Sequence, residues 1–381
     1  AAGRLLSRPG CNTPVVPCSL LPARQGTIKM KILIVSLRYL GDCLLAAALA
    51  PAIKKKLPDA QVDLLTFKDN RGILEGISAI DNVIGVERHP NKFRQALDHI
   101  RSWNSYDWAL STMNSTRCTF YSWSSAKHQV MPQTFNKTKD LWIHLLISKF
   151  VPWAPGHMLD TFTALAEPVV GSIPPLKPVA PDAPLSDDLS QLLTPLGDYV
   201  ACHPCSRYQD KNWSKNEWRK LFSKILDSGK DICLTGGPSA FEHDYIRDIS
   251  DGFPSDKVVS IAGKASFGQT GRIIRNARAF LGVDTATAHV AAATGTPSFF
   301  IFGPTPVSAW GPSPKEGRPA QFSGLLDLQT VLNVTIIRQD QLKPCDGCSN
   351  HRCAHFDPPE LSRCMQNIPA EKVWRALSNA L

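Results

Sequence analysis

Short apolar runs alternate along the chain with segments in which apolar residues recur every three or four positions. The runs are typical of buried parallel strands, and the segments between them have helical periodicity. In the first half, this pattern predicts strands at 31–36, 61–66, 83–87 and 108–112, and helices at 42–57 and 91–103. In the second half, it predicts strands at 199–202, 231–235, 258–261, 279–283 and 298–302, and helices at 216–228, 242–250, 268–276 and 288–293. Such alternation predicts an α/β protein with doubly wound parallel sheets.

A proline-rich stretch separates the two halves. Five prolines lie between residues 173 and 184, where they prevent both a helix and a central strand. The chain has 381 residues, which is long for one hydrophobic core. We therefore expect two α/β domains, at 30–172 and 198–381, with a Pro-rich linker region at 173–197. Ligands of such sheets bind at the carboxyl ends of the strands, so the cleft between the domains is the expected site.

Residues 1–29 lack any periodicity and have no continuous apolar core of a signal peptide. Met30 and the apolar run after it resemble a native start, so we expect 1–29 to be a non-native or disordered extension, with an acid-poor transit peptide as the alternative. The net charge is +9, and it falls to +5 without this segment. This surplus of positive charge would favour an anionic membrane surface or acceptor, but an ordinary basic protein would have the same charge. No basic run is interleaved with stacking aromatic residues, so a nucleic-acid partner is not expected.

The stretch 279–312 has the most distinctive candidate chemistry. A buried strand leads into Asp284, Thr285 and Ala286, which suit the start of a helix. A helix that begins directly after a strand offers free N–H groups and a positive dipole end to a phosphate. Asp284 and His289 add polar groups beside that end, among small residues that let a large group approach. A capped helix packed under a sheet would have the same local pattern.

This stretch and several other motifs resemble glycosyltransferase family 9, the lipopolysaccharide heptosyltransferases that use ADP-heptose. The Asp-Thr-Ala-Thr-Ala-His sequence, followed by Phe-Gly-Pro-Thr-Pro and Trp-Gly-Pro, is similar to the family signature. Further motifs follow in the family's order: Leu-Gly-Asp at 40–42, His-Pro-Cys-Ser at 203–206, Lys-Asn-Trp at 211–213, Gly-Gly-Pro at 236–238 and Ala-Gly-Lys at 262–264. The resemblance covers most of residues 30–381. It is strongest to the branch that adds the third, side-branch heptose of the inner core.

The resemblance implies the GT-B fold, in which two Rossmann-like domains face a cleft. Residues 30–172 would bind the acceptor, expected in variable loops such as 112–140. Residues 198–381 would bind the ADP-sugar and include a cysteine-containing C-terminal segment. The implied reaction is an inverting, metal-independent transfer of heptose from ADP-L-glycero-D-manno-heptose to the lipopolysaccharide inner core. Two alternatives remain open: a nucleotide-sugar epimerase, which also uses this fold, and a non-catalytic sugar-nucleotide-binding protein.

The implied setting is the cytoplasm, at the surface of the inner membrane. There the enzyme would be peripheral and monomeric, with no cofactor and no nucleic acid among its partners. Its partners would be the ADP-sugar donor and a lipid A–core acceptor. Which core sugar accepts the heptose does not follow from the sequence.

Asp42 is the candidate for the catalytic base. It follows the first predicted strand and matches the Asp of the family's Gly-Asp pair. A carboxylate within hydrogen-bond reach of the acceptor hydroxyl can take its proton. An Asp near a helix N-terminus also stabilises the helix as a cap. The two roles are compatible.

The resemblance implies that the loop after residue 202 binds the donor. Ser206 and Lys211 would hold the pyrophosphate, whose negative charge grows as the leaving group departs. Glu242, after the Gly-Gly-Pro turn, would contact the ribose hydroxyls. Trp213 is expected to pack the loop, and a solvated basic loop is the alternative for the whole motif. The family usually has Gly where this chain has Cys205. A side chain there either shifts the loop or points away from it.

The signature motif completes the implied donor site. Thr285 and the backbone of Ala286 would serve the phosphates, and Asp284 and His289 the sugar and phosphate end of the donor. Much of the family has Gly in place of Ala286, and some branches have Ala.

The cysteines divide into two groups. Four near the C-terminus could supply thiolates to a zinc ion, with reduced or structural cysteines as the alternative: Cys345, Cys348, Cys353 and Cys364. Disulfides are disfavoured in a cytoplasmic enzyme. Four others fall in predicted core elements and are expected to be buried as small apolar residues: Cys43, Cys118, Cys202 and Cys233.

Overall fold

The computed structural model describes residues 29–133, 140–318, 320–340, 348–349, 352–353 and 362–381. Within them, two large sheets with helices around them occupy the two predicted halves. The doubly wound α/β class is therefore confirmed. The predicted extension lies outside the described residues, apart from Lys29. In the described part of the chain, no helix is long and apolar enough to span a membrane.

The first domain contains a six-stranded parallel sheet in the order β3-β2-β1-β4-β5-β6. The strands are β1 (Lys31–Val35), β2 (Gln61–Phe67), β3 (Asn82–Val86), β4 (Tyr106–Ser111), β5 (Ala126–Pro132) and β6 (Lys149–Val151). The helices are α1 (Leu40–Ala47), α2 (Leu49–Lys56), α3 (Lys92–Arg101), α4 (Thr116–Ser125), α5 (Leu141–Leu146) and α6 (Met158–Val170), with a 3-10 helix at Lys68–Leu74. The strand order reverses between β1 and β4, which opens a crevice at their carboxyl ends.

Two predictions in this domain need correction. The helix predicted at 42–57 is two helices, α1 and α2, separated at Ala48. Pro51 explains the break, because it has no N–H to donate to the carbonyl of Ala47. The segment 112–140, expected to be acceptor-binding loops, contains helix α4 and strand β5.

The second domain contains a seven-stranded sheet in the order β12-β13-β11-β10-β7-β8-β9. The strands are β7 (Tyr199–His203), β8 (Asp231–Leu234), β9 (Val258–Ser260), β10 (Ala279–Val283), β11 (Ser298–Ile301), β12 (Leu328–Val331) and β13 (Val334–Ile337). Among the described strand pairs of this sheet, only β12–β13 is antiparallel. The helices are α7 (Asp187–Leu193), α8 (Lys215–Asp227), α9 (Ala240–Ser250), α10 (Phe267–Asn276), α11 (Ala286–Thr294), α12 (Val307–Trp310), α13 (Arg363–Gln366) and α14 (Ala370–Leu377), with 3-10 helices at Gln209–Lys211 and Ser378–Ala380. A two-stranded ladder, β14 (Cys348–Ser349) and β15 (Arg352–Cys353), precedes α13.

Helix α7 lies within the predicted linker region. Residues 171–186, which include the five prolines, contain neither helix nor strand. Leu189 of α7 is buried against Cys233, Ile261 and Ile273 of the second domain. By its packing, α7 therefore belongs to the second domain, and the extended proline segment before it connects the two sheets.

The two domains pack directly on each other through α1 and α11. A Cβ atom at Gly41 would lie 3.3 Å from Cδ2 of His289, so the glycine permits a close approach. Ala46 of α1 and Ala291 of α11 are buried in one hydrophobic cluster that includes residues from both domains. We call this contact the interdomain seam. The small residues of the signature motif thus admit a helix of the other domain.

Candidate active site

The carboxyl ends of three strands place the predicted residues on facing edges of the two sheets. In the first domain, β1 leads into the turn that contains Asp42. In the second, β7 leads into the loop with Ser206 and Lys211, and its neighbour β10 leads into Asp284. The strand order of the second sheet also reverses between β7 and β10. Both sheets therefore present candidate residues at the positions where doubly wound sheets bind ligands.

Asp42 is a buried carboxylate beside the guanidinium of Arg38. It is the third residue of α1 and is 7% exposed. Its Oδ1 atom lies 3.3 Å from Nη1 of Arg38, but accepts no hydrogen bond from any described residue. Burial raises the pKa of Asp42 above its ordinary value, and the charge of Arg38 offsets part of that rise. A carboxylate with a raised pKa, and with an oxygen that accepts no hydrogen bond within the protein, is suited to accept a proton.

Arg38 and Tyr39 connect this turn to the second domain, and sequence reasoning missed both. The Arg38 guanidinium lies 5.5 Å from the ring centroid of Trp310 in α12. The Tyr39 ring meets the ring of Tyr208 edge-on, with centroids 6.3 Å apart. Arg38 precedes Asp42 by four residues, and this spacing was the signal that could have identified the pair. The aromatic partners depend on the tertiary structure alone.

Lys211 and Asp284 form a buried ion pair in the second domain. Nζ of Lys211 donates to Oδ2 of Asp284 at 2.6 Å, and the Thr305 hydroxyl donates to the same oxygen. The Ser206 hydroxyl donates to the backbone carbonyl of Asp284 at 3.4 Å. The structure therefore brings three of the predicted donor residues together and adds Thr305, from the Phe-Gly-Pro-Thr-Pro motif, as a fourth. Their roles toward a ligand remain predictions.

The start of α11 lies beside this pair. The Thr285 side chain caps the helix by accepting the N–H of Thr287 at 3.1 Å, and Ala286 is the first helical residue. His289 is buried, and burial lowers its pKa to about 4, so the imidazole is neutral near pH 7. Its Nδ1 atom has no hydrogen-bond partner among the described residues.

Two buried polar atoms without a hydrogen-bond partner thus lie in α1 and α11, the helices that meet at the interdomain seam. They are Oδ1 of Asp42 and Nδ1 of His289. Buried polar atoms are nearly always hydrogen-bonded in folded proteins, so a partner outside the chain, a water molecule or a ligand, is expected for each. A polar ligand between the two domains would supply it.

Glu242 lies at the same edge of the second sheet but has internal partners. It is the third residue of α9, after β8, and its carboxylate accepts the N–H of Gly237 and the hydroxyl of Ser239. A Cβ atom at Gly237 would lie 2.9 Å from the carboxylate, so a side chain there would displace Glu242. Glu242 is partly exposed and can still be reached by a ligand.

Cys205 and Trp213, which neighbour the phosphate-binding candidates in the sequence, are buried beneath the loop. Cys205 is 1% exposed and packs in the core of the second domain, away from the polar side of the loop. Trp213 is fully buried and donates from Nε1 to the carbonyl of Ile368, which confirms its predicted packing role. The cysteine in place of the usual glycine therefore points away from the site.

The two groups of cysteines have different outcomes. The four expected in the core are all buried with free thiols, as predicted: Cys43, Cys118, Cys202 and Cys233. In the C-terminal group, Cys345 and the side chain of Cys348 lie outside the described residues, although the backbone of Cys348 pairs with that of Cys353. The described residues contain no cluster of three or more metal-ligating side chains. Zinc binding remains a prediction.

Comparisons with known proteins agree with this geometry. The model of glycosyltransferase family 9 (heptosyltransferase) matches residues 93–321, which is more than half of the chain. Lipopolysaccharide heptosyltransferase 3 of Escherichia coli is 25% identical over 289 residues, covering 72% of this chain and 84% of that protein. This similarity supports the predicted resemblance to the third-heptose branch.

Solved structures confirm the fold. The family 9 glycosyltransferase from Veillonella parvula superimposes with a TM-score of 0.70 at 14% identity, covering 92% of this chain and 97% of that chain. An Escherichia coli heptosyltransferase with ADP gives 0.69 at 17% identity, covering 92% and 100%. Together with the parallel sheets described above, these likenesses confirm the two-domain GT-B architecture. The chain belongs to glycosyltransferase family 9 and is a glycosyltransferase.

Proposed function

We propose that this enzyme transfers heptose from ADP-L-glycero-D-manno-heptose to the inner core of lipopolysaccharide. The observation that carries the proposal is the combination of a buried carboxylate of raised pKa in the first domain with a lysine and hydroxyl groups on a loop of the second. Asp42 supplies the first, and Lys211 with Ser206 supplies the second. Transfer to a hydroxyl needs both a base and a site for an anionic leaving group.

In this mechanism, the second domain holds the ADP-sugar. Lys211, Ser206 and the N-terminus of α11 would face the pyrophosphate, where positive charge and hydrogen-bond donors stabilise the departing ADP. Neutral His289 would offer Nδ1 to a polar group of the donor. These interactions strengthen as the bond between the anomeric carbon and the phosphate oxygen breaks and its electron pair moves to ADP.

The first domain holds the acceptor. Asp42 would take the proton of the acceptor hydroxyl as its oxygen bonds to the anomeric carbon. A single displacement of this kind inverts the anomeric configuration. The alternative, a double displacement, needs a second free carboxylate as a nucleophile. Asp284 is unsuited to that role, because its Oδ2 already accepts from Lys211 and Thr305.

The test is transfer to defined acceptors with each candidate ADP-sugar, with the product identified by mass and its anomeric configuration by NMR. We expect ADP-heptose to give a product of inverted configuration on an inner-core acceptor. A second sample with donor and no acceptor distinguishes transfer from epimerisation, because an epimerase converts the donor sugar alone. Conversion without acceptor, or transfer of another sugar in preference, would contradict the proposal.

Glu242 is proposed to contact the nucleoside end of the donor. We expect Glu242→Ala to weaken ADP binding by about tenfold or more, the range for a hydrogen bond to a charged group, and to leave inorganic pyrophosphate binding unchanged. Calorimetry with each ligand measures the two affinities. Ser239→Ala is the matched control, because it removes the α9 cap and one partner of Glu242 without removing the carboxylate. An equal loss of affinity for both ligands would place Glu242 outside the nucleoside site.

Catalysis is proposed to need no divalent metal, since Lys211 and the α11 N-terminus can supply the positive charge at the pyrophosphate. We expect activity after EDTA treatment to stay within about twofold of the untreated enzyme, a change that corresponds to well under 1 kcal/mol in the barrier. Thermal unfolding of the same samples is the control, because it detects loss of a structural zinc ion. Activity that EDTA abolishes in a folded protein, and that magnesium or manganese restores, would refute the proposal.

The lipid-linked acceptor implies where the enzyme works. We propose that it acts as a monomer at the cytoplasmic face of the inner membrane, as a peripheral protein. Fractionation of cells that express it, before and after a high-salt wash, tests this location.

A further inference from the structure

Three neighbouring helices of the first domain expose large apolar side chains to solvent. Helix α4 packs against both α3 and α5, and α3 has no buried residue at all. We call the surface formed by these side chains the aromatic face, and its members are Phe93, Ile100, Trp103, Phe120, Trp123, Leu141 and Leu145. Contiguous apolar patches of this kind are rare on soluble monomers and mark a surface that meets an apolar partner.

Ring contacts join the three helices into one surface. Trp103, after α3, meets Trp123 of α4 edge-on with ring centroids 5.5 Å apart. Phe120, one turn before Trp123, stacks on Trp142 of α5 at 5.4 Å. These contacts link exposed aromatic side chains of the three helices, and Leu145 of α5 is 81% exposed.

The charge around the aromatic face is positive. Helix α3 exposes Lys92, Arg94 and Arg101, and its single acid, Asp98, accepts the hydroxyl of Tyr121 at 3.4 Å. Helix α4 has one charged residue, an arginine, and α5 has no Asp, Glu, Lys or Arg. Tryptophan and other large apolar side chains beside Lys and Arg are typical of helices that lie in the interface of an anionic bilayer.

We propose that the aromatic face docks this enzyme on an anionic lipid bilayer. The choice of a bilayer rests on the proposed function, because a lipid-linked acceptor lies in a membrane; the apolar and cationic surface stands without it. All three helices begin at the carboxyl edge of the first sheet, where Asp42 also lies; Phe93 and Leu141 lie in first turns there, whereas Trp103 and Trp123 lie at the opposite ends of α3 and α4. Docking through this face would bring the acceptor domain to the membrane and leave the donor domain facing the cytoplasm.

A second copy of the chain suits this face less well. In a twofold-symmetric contact, the same patch lies on both partners, so both sides would bring the three cations of α3 into one interface. Like charges across an interface oppose association. Anionic headgroups would instead meet these cations, while the aromatic side chains reach the boundary between headgroups and acyl chains.

The test is flotation of the full chain with vesicles of phosphatidylcholine alone or with one-third phosphatidylglycerol. We expect binding to the anionic vesicles that weakens with salt. Trp103→Ser with Trp123→Ser should lower the partition coefficient at least about tenfold, since two exposed aromatic side chains lose their burial in the bilayer. Lys92→Gln with Arg101→Gln should lower it several-fold on anionic vesicles only. Leu325→Ser with Leu328→Ser, in exposed positions of the second domain, is the matched control and should change nothing.

Heptose transfer to a deacylated, water-soluble core acceptor separates this inference from the proposed function. The tryptophan variant should retain that activity. Wild-type protein that transfers heptose but does not float would overturn the docking surface and leave the function standing. Binding that persists in the tryptophan variant would overturn the surface as well. So would a concentration-dependent dimer, detected by sedimentation, that the same two substitutions abolish.

Discussion

Replacing Asp42 with asparagine is expected to lower turnover by about 10²–10⁴-fold, the contribution of a positioned general base. The affinity for ADP should remain nearly unchanged, because Lys211 and Ser206 belong to the other domain. Folding should survive, since asparagine has the same shape and Oδ1 of Asp42 makes no hydrogen bond with any described residue. The variant removes a buried charge but also the ion pair with Arg38, so we expect its melting temperature to change little. Single-turnover kinetics and calorimetry measure the two effects separately.

The pH dependence of turnover supplies a second readout of the same group. The base must be deprotonated, so activity falls as pH decreases through the pKa of Asp42. Because burial raises that pKa, the acidic limb should lie above the ordinary value of 3.8, and Asp42→Asn should lose it. Asp63→Asn is the control for a buried carboxylate outside the site, and turnover per folded molecule should stay normal. Turnover close to the wild-type rate in Asp42→Asn would show that Asp42 is not the catalytic base.

Removing the cation of Lys211 is expected to weaken ADP binding by about 10-fold to 150-fold, which corresponds to about 1.5–3 kcal/mol for hydrogen bonds to charged groups. The ion pair with Asp284 adds to this loss. In Lys211→Ala, the buried Asp284 carboxylate would keep only its Thr305 partner and would lie uncompensated beside the phosphates. Turnover should fall as well, because the leaving group gains charge in the transition state. Calorimetry with ADP measures the affinity without any acceptor.

Two further variants make the Lys211 result specific. Lys220→Ala removes an exposed cation of α8, paired with Glu217, and should leave ADP binding unchanged. Combining Lys211→Ala with Asp284→Asn removes the unpaired charge and should recover part of the lost affinity, which a double-mutant cycle quantifies. If ADP binds Lys211→Ala as tightly as the parent, the cation lies outside the donor site.

Local signals accounted for the elements around the site. Strand β10 was predicted at its observed bounds because its residues form a continuous apolar run. The start of α11 was predicted because Thr285 suits a cap, and Gly295 ends that helix with φ +90°, as a stop signal requires. By contrast, α4 mixes serine, threonine and aromatic residues with little amphipathic order, and it passes into β5 without a turn. Neither hydrophobic periodicity nor a glycine or proline marked the boundary between α4 and β5.

The residues of the candidate site also fall into two groups: some follow from motifs in the sequence, and others only from the structure. Asp42, Ser206, Lys211 and Asp284 were singled out because their motifs follow predicted strands and resemble those of the family, and their roles stay predictions. The contacts of Arg38 with Trp310 and of Tyr39 with Tyr208 join residues about 170 or more positions apart. Only the packing of the two sheets creates them. The unsatisfied atoms of Asp42 and His289 were also invisible in the sequence, because they become orphans only when α1 and α11 exclude water from the seam.

The interdomain seam limits how far the two domains can move apart. Alanines and larger apolar residues from both domains form one cluster, so neither domain has a complete core without the other. Wide opening would expose that cluster to water, which costs free energy in proportion to the apolar area uncovered. We therefore expect a small sliding or rocking about α1 and α11, in which the two helices keep their contact.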